Sequence, residues 1–142
     1  MFQSILVPVD LAHRPPKRRA LPVAVDLAKT HGGRVRVLTV IPDYGMPVVG
    51  SFFPKDFEKS ALAASDTELK KLVEKLVPKD LLAESHAAHG TIYKEILATA
   101  DAQGCDLIVL ASHRPETSDY LLGPNAARVV RHADQSVFVV RA

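Results

Sequence analysis

At 142 residues, the chain is short enough to form one domain and long enough to bury a core, so we expect a single domain over residues 1–142. Hydrophobic residues make up 47% of it and charged residues 24%, as in ordinary globular proteins, and the formal net charge of +2 is too small to indicate binding to nucleic acid or to a membrane. A single cysteine excludes an internal disulfide, and neither a signal sequence nor an apolar run of the roughly 20 residues that span a bilayer is visible, so we expect a cytoplasmic protein.

Strands and helices alternate along the chain, as judged from the spacing of its apolar residues. A strand is predicted over residues 4–10, with its regular pairing ending near Pro8, which has no N–H for a sheet ladder. A helix is predicted over residues 15–31, bent or weakened at its start by Pro22 and stopped by the two glycines that follow it. The later predicted elements are, in order, a strand over residues 34–41, a loop over 42–54, a helix over 55–77, an edge strand over 82–89, a helix over 91–103 with Thr91 as N-cap, a strand over 107–111, a helix over 125–132 and a strand over 136–141.

This alternation, together with hydrophobic strands, predicts an α/β fold with an open, doubly wound parallel sheet covered on both faces. Ligands of such sheets bind outside the carboxyl ends of the strands, where the strand order reverses. The first strand usually lies centrally, and the fourth can lie beside it across the reversal. We therefore expect a crevice between Val9-Asp10 and the segment from Ala111 to Arg114, with Val40 alongside.

The two sides of this predicted crevice differ in chemistry. Gly123-Pro124 begins a helix, and a helix N-terminus offers unpaired amides and the positive end of the dipole to an anion. Ser112 and Arg114 would add donors to that anion site. The carboxylate of Asp10 suits a sugar hydroxyl or an amino group and repels phosphate. A nucleotide has this polarity.

Each of these residues also has a purely structural interpretation. Asp10 can cap the loop that follows it, and His113 can be a structural histidine. Arg114 can lie in solvent or pair with Glu116 or Asp119. Gly123-Pro124 can be only a helix start, and Cys105, just before an apolar run, is expected to be a buried thiol rather than a nucleophile. The functional interpretation depends on their convergence at one strand reversal.

Several stretches resemble the universal stress protein family, of the UspA type, over the whole chain. They are ILVPVD, LTVIP, DLIVLASHR, LLGPNAARVVRHA and SVFVVR. ASHRP followed by YLLG and NAA is similar to the filamental branch of that family. The resemblance implies a five-stranded parallel sheet of order 3-2-1-4-5, of the adenine-nucleotide alpha-hydrolase-like type, and a homodimer formed through the last strand, residues 136–141.

The resemblance also implies binding of ATP or AMP, with or without Mg²⁺. The family pattern for this is Gly, two residues, Gly, nine residues, Gly and then Ser or Thr. On this sequence its positions fall on Ala111, Arg114, Gly123 (one residue early) and Pro124. Arg114 brings a charged fork for phosphate, whereas Pro124 lacks both the hydroxyl and an N–H. The implied nucleotide-binding residues are Pro8, Val9, Asp10, Val40, Ala111, Ser112, His113, Arg114, Gly123, Pro124, Asn125 and Ala126.

Three functional hypotheses follow. The first is a dimeric nucleotide-binding protein with a stress-response or regulatory role. The second is a slow ATPase or autophosphorylating enzyme that would use Asp10 or His113; fast catalysis is not expected, because no Walker lysine follows a glycine loop and no carboxylates are paired for a metal. The third is a dimeric interaction module that holds no nucleotide. The histidines are too scattered to predict a metal site.

Overall fold

The computed structural model describes residues 1–11, 19–42, 55–112 and 123–141. Their regular elements are β1 (Ser4–Pro8), α1 (Ala20–His31), β2 (Arg34–Pro42), α2 (Lys55–Leu76), β3 (Leu82–Gly90), α3 (Ile92–Ala102), β4 (Leu107–Ser112), α4 (Gly123–His132) and β5 (Ser136–Arg141). The predicted alternation of strands and helices is confirmed. The first residue of the loop predicted over residues 42–54, Pro42, instead ends β2. The rest of that loop and the start of the predicted first helix lie outside the described residues.

Two helix starts differ from their prediction. The helix α1 begins at Ala20, so Pro22 lies in its first turn. Proline is tolerated there because first-turn amides have no acceptor within the helix, and the bend expected at Pro22 is not needed. The helix α4 begins at Gly123, two residues before the predicted start, and thus includes Pro124 in its first turn.

The five strands form one parallel sheet in the order β3-β2-β1-β4-β5, which confirms the predicted order 3-2-1-4-5. The strand β1 lies at its centre and ends at Pro8, as predicted. Its residues Ile5, Leu6 and Val7 are fully buried. Because successive side chains of a strand point to opposite faces, an unbroken apolar run fits only a strand that is covered on both faces. The polar strand β3 lies at an edge, again as predicted.

Each face of the sheet carries two helices. On one face, α1 and α2 contribute buried residues such as Leu21 and Leu69 to a cluster that includes Ile5. On the other face, α3 and α4 contribute Ile96 and Val129 to a second cluster around Leu6. The fold is therefore a three-layer α/β sandwich, and the carboxyl ends of its strands share one edge.

The amino-terminal edge of the sheet is held by the backbone around Gln3 and Ser4. Their N–H groups donate to the two carboxylate oxygens of Asp106, at 3.0 and 3.1 Å, and the Asp106 N–H donates to the Ser4 carbonyl at 2.9 Å. On the other side, the Arg34 N–H donates to the Gln3 carbonyl at 2.9 Å. These bonds align the start of β1 with the starts of both neighbouring strands.

Two adjacent glycines at the end of α1 serve different needs. Gly32 ends the helix in the left-handed conformation, with φ 68°. Gly33 lies against the first strand: a Cβ atom there would come within 2.5 Å of the Phe2 carbonyl oxygen. Gly32 is thus required for its dihedral angles and Gly33 for the space it leaves.

This difference predicts the effect of two matched substitutions. Gly33→Ala should lower the free energy of unfolding by about 2 kcal/mol, because the new methyl group meets backbone that cannot move without disturbing β1. Gly32→Ala adds a Cβ that meets nothing within 4 Å, and should cost about 1 kcal/mol for its left-handed conformation alone. Urea denaturation followed by circular dichroism measures both, and a Gly33→Ala cost no larger than that of Gly32→Ala would contradict the close-packing account.

Candidate functional site

The strand order reverses between β1 and β4. The chain leaves β1 toward β2 on one side, while β4 pairs with β1 on the other. The register pairs Ile5 with Leu107 and Leu6 with Ile108. Continued along both strands, this register brings Val9 beside Ala111 at the carboxyl edge. The two strand ends that the sequence predicts to be neighbours are therefore neighbours in the structure.

Several predicted site residues turn their side chains away from this edge. Pro8, Val9 and Ala111 are buried, and the last two belong to the cluster beneath α1. The Val9 N–H donates to the Leu38 carbonyl at 2.8 Å. A ligand in the crevice would therefore meet these residues through their main chain. These residues were predicted from their position at the ends of strands. That position does not show whether a ligand would contact their main chain or their side chains.

Asp10 and Val40 lie at the ends of adjacent strands. Asp10 lies two residues beyond the end of β1 and is half-buried, so its carboxylate is not simply a solvated surface charge. Val40 is half-buried near the end of β2 and packs against the cluster around α3 and α4. These two implied nucleotide-binding residues thus lie on neighbouring strands at the same edge of the sheet.

The predicted anion end begins with the first turn of α4. Gly123 starts the helix, and Pro124, which is exposed, supplies no N–H. Ala126 is only 5% exposed, because its side chain packs into the cluster shared with α3. The side chain of Ala126 therefore faces the core and not the predicted anion site.

The side chain of Asn125 makes a contact that the sequence did not predict. Its Oδ1 accepts a hydrogen bond from the backbone N–H of Tyr93, at 3.2 Å, in the first turn of α3. Thr91 is the N-cap residue of α3, as predicted, but its side chain makes no capping hydrogen bond. The two residues are far apart in sequence, so no local pattern could reveal that Asn125 provides this bond.

Two predicted ligands, His113 and Arg114, lie outside the described residues, as do Glu116 and Asp119. Ser112 ends β4, but its side chain also lies outside what the structure describes. The contributions of these three residues to a phosphate site remain predictions from the sequence.

Cys105 is buried, with 6% of its surface exposed, which confirms the expectation of a buried thiol. The Ser4 hydroxyl donates to its Sγ at 3.6 Å. Burial raises the pKa of the thiol above 9.0, and this effect outweighs the hydrogen bond from Ser4, which lowers it. A thiol that resists ionisation is a poor nucleophile.

Within residues 1–11, 19–42, 55–112 and 123–141, no group of three or more histidine, cysteine or carboxylate side chains could hold a metal ion. None of the helices described there is long and apolar enough to cross a membrane.

A cavity of about 310 Å³ lies elsewhere in the molecule, between the sheet and the last turns of α3. Arg36 and Glu84 line it and form an ion pair at 2.7 Å. Thr99 and Gln103 line it from α3. Because α3 runs back toward the amino ends of the strands, this cavity is separate from the strand-end crevice.

The sequence matches the model of the universal stress protein family over residues 1–141. Universal stress protein G from Shigella flexneri is 29% identical over 143 residues, covering 99% of this chain and 100% of the relative. The chain is thus similar over its full extent to a relative of nearly the same length.

Solved structures share the fold. UspA from Lactobacillus plantarum is 24% identical and superimposes with a TM-score of 0.74 over 99% of this chain and 98% of that one. A universal stress protein from Archaeoglobus fulgidus in complex with dAMP is 19% identical, with a TM-score of 0.54 over 97% of each chain. A further universal stress protein, solved in complex with cAMP, is 18% identical, with a TM-score of 0.55 over 99% of this chain and 97% of that one.

The burial of Cys105 should lower the reactivity of its thiol. Cys105 should react with a disulfide reagent at least about tenfold more slowly in the native protein than in concentrated urea, because the native thiol is covered and less ionised. Its raised pKa contributes stability below the pKa of the unfolded thiol, and that contribution is lost as pH rises through the folded pKa.

From about pH 8 to about pH 10, the free energy of unfolding should therefore fall more steeply in the native sequence than in Cys105→Ala. Urea titrations at each pH measure both slopes, and the other titrating groups are common to the two proteins. Equal slopes would contradict the raised pKa.

Proposed function

This chain belongs to the universal stress protein family, and from that premise we propose that it binds an adenine nucleotide, ATP or AMP, at the carboxyl edge of the sheet between β1 and β4. The observation that carries the proposal is the strand reversal at this edge. It brings the end of β1 beside the end of β4, and such reversals are where open α/β sheets bind ligands.

The relatives support an adenine nucleotide over other ligands. Two universal stress proteins of the same fold were solved with dAMP and with cAMP. Both ligands combine adenine, a sugar and a phosphate, and the proposed crevice offers chemistry for each part. Its hydroxyl-binding side is formed at the ends of β1 and β2, and its anion-binding side at the start of α4.

We assign the nucleoside to the β1 and β2 side. The Asp10 carboxylate accepts hydrogen bonds from ribose hydroxyls or from an adenine amino group. The main chain around Val40 lies against the adenine ring, and the main chain of Pro8 and Val9 forms the floor between them. A carboxylate on this side also excludes the reverse orientation, because it would repel a phosphate group.

We assign the phosphates to the side of β4 and α4. The donors that we propose there are the Ser112 hydroxyl, the side chains of His113 and Arg114, and the amide of Gly123 at the start of α4. The helix dipole adds to the attraction, since its positive end lies at the first turn. A Mg²⁺ ion that accompanies ATP would be held chiefly by phosphate oxygens and water.

We propose that the protein forms a homodimer joined through β5 and has a stress-response or regulatory role. This strand lies at the edge of the sheet, so one side of its backbone has no partner strand within the described chain. Phe138 on this strand is 44% exposed and Val130 on α4 is 53% exposed. An exposed edge with apolar side chains is a surface that a second copy can cover by strand pairing.

A titration with ATP tests the nucleotide site and the cost of Pro124 together. Pro124→Ala restores one amide at the start of α4, and Pro124→Ser restores the amide and adds a hydroxyl. We expect Pro124→Ala to bind ATP about tenfold more tightly than the native sequence, and Pro124→Ser to gain up to about tenfold more. Isothermal titration calorimetry measures all three affinities.

Adenosine is the control ligand, because it has no phosphate and its affinity should not change among the three proteins. Millimolar ATP should also raise the melting temperature of the native protein through its preference for the folded state. Absence of ATP binding would overturn the nucleotide site and leave a dimeric interaction module. Release of ADP over hours, abolished by Asp10→Ala, would reveal a slow ATPase.

The proposed dimer is tested by placing a charge on β5. Phe138→Lys should raise the dimer dissociation constant at least about tenfold, because two lysines would face each other across a paired edge. Leu76→Lys is the matched control, since Leu76 is 39% exposed but lies on α2. Light scattering coupled to size-exclusion chromatography gives the masses, and an unchanged mass for Phe138→Lys would argue against pairing through β5.

A further inference from the structure

We propose that the cavity between the sheet and the last turns of α3 is a second ligand site, which binds a small organic carboxylate with an apolar body. The guanidinium of Arg36 holds the carboxylate, and the apolar floor of the cavity holds the body. This site is independent of the nucleotide site proposed above, because the cavity lies under α3, toward the amino ends of the strands.

The cavity has room for a small molecule. Its volume is about 310 Å³, which is at the lower end of the range of ligand pockets in proteins and about twice the volume of an engineered cavity that binds benzene. The buried side chains of Leu6 and Leu38 form its floor on the sheet, and Ala98 and Ala102 line it from α3. An aromatic ring with a short polar substituent therefore fits between the sheet and the helix.

Arg36 brings a positive charge to this cavity. Its side chain is 25% exposed, and its Nη1 donates to Oε2 of Glu84 at 2.7 Å. Its Nε is buried and has no hydrogen-bond partner among the described residues. Because a buried donor without an acceptor is costly, an acceptor that a ligand brings to this nitrogen is favoured.

The shape of the guanidinium group favours a carboxylate as that acceptor. Nε and Nη2 of an arginine point in the same direction and can donate together to the two oxygens of one carboxylate. Glu84 is bonded at Nη1, on a different edge of the group. A carboxylate at the Nε edge can therefore use two donors, whereas a hydroxyl or a single carbonyl oxygen satisfies fewer of them.

Glu84 limits the affinity of the site. Its carboxylate is an anion close to the proposed ligand, and like charges repel. Its side chain is 47% exposed, so water screens its charge more than it screens the charge of Arg36. The net attraction for a carboxylate is therefore modest, and we expect a dissociation constant of about 1 mM for a ligand of this size.

Two backbone bonds reduce the repulsion of an anion by the carboxyl end of α3, where the helix dipole places partial negative charge. The Thr99 carbonyl accepts from the Gln103 N–H at 3.0 Å, and the Ala100 carbonyl accepts from the Cys105 N–H at 2.9 Å. Because these carbonyls are already bonded, they present less negative charge to the cavity. The side chains of Thr99 and Gln103, which also line it, are neutral.

Phenylacetate is the probe for this site, and phenylacetamide, which has the same shape without the charge, is its matched control. We expect phenylacetate to bind the native protein with a dissociation constant of about 1 mM and to shift the amide signals of Arg36, Leu38 and Thr99 in NMR spectra. Phenylacetamide should bind at least about tenfold more weakly. Acetate, which lacks the apolar ring, should also bind at least about tenfold more weakly.

Two substitutions test the charges. Arg36→Met keeps an unbranched apolar side chain but removes the guanidinium, and should weaken phenylacetate binding at least about tenfold. Glu84→Gln removes the like charge while its amide oxygen can still accept from Arg36, and should strengthen phenylacetate binding about threefold.

Two further substitutions test the location. Ala98 is an exposed residue of α3 that lines the cavity, so Ala98→Leu extends a larger side chain into it and should weaken phenylacetate binding at least about tenfold. Ala64→Leu is the matched control, because Ala64 is an exposed alanine of α2, on the other face of the sheet. It should leave the affinity unchanged.

Several results would overturn the second site. One is equal affinity for phenylacetate and phenylacetamide, which would show that the guanidinium does not select the ligand. Another is an unchanged affinity in Arg36→Met or in Ala98→Leu. A third is displacement of phenylacetate by ATP, which would place the probe in the strand-end crevice. The first and third measurements use the native protein, so they decide the matter even if a variant fails to fold.

Discussion

The pairing of β1 with β4 is the contact on which the rest of this structure depends. It sets the strand reversal, because β1 already pairs with β2 on its other side. It is held at the amino edge by the Asp106 carboxylate, which accepts the N–H groups of Gln3 and Ser4. This charged acceptor, at the start of the pairing between β1 and β4, sets the register of two strands that are distant in sequence. That register also determines which ends of β1 and β4 are neighbours at the opposite edge.

The amino edge and the carboxyl edge of the sheet have different roles. The amino edge carries the bonds of Asp106 and the close approach of Gly33 to the first strand, both of which serve stability. The carboxyl edge carries the strand ends and the start of α4, where we propose that the nucleotide binds. Pro124 at this edge is exposed, so a change of this residue should not disturb the core beneath it. Affinity for a ligand can vary while the fold persists.

The short helix α4 depends on contacts with the neighbouring helix α3. Its residues Ala126 and Val129 pack into the core, and Asn125 is bonded to the backbone of α3. The exchange benefits both helices: α3 gains a cap that its own Thr91 does not supply, and α4 gains an orientation. A change in either helix should therefore be felt at the start of the other.

The amino-acid sequence by itself determined the order of strands and helices, the edge position of β3 and the end of β1 at Pro8, because apolar and polar patterning, proline and glycine act locally. The family followed from motifs that resemble those of its members. The strand reversal at which we propose the site was likewise expected from the sequence. Only the tertiary structure decided that the side chains of Val9, Ala111 and Ala126 belong to the core, and that Asn125 caps α3. These are contacts between segments distant in the chain, and periodicity carries no information about which partner a side chain meets once the helices pack.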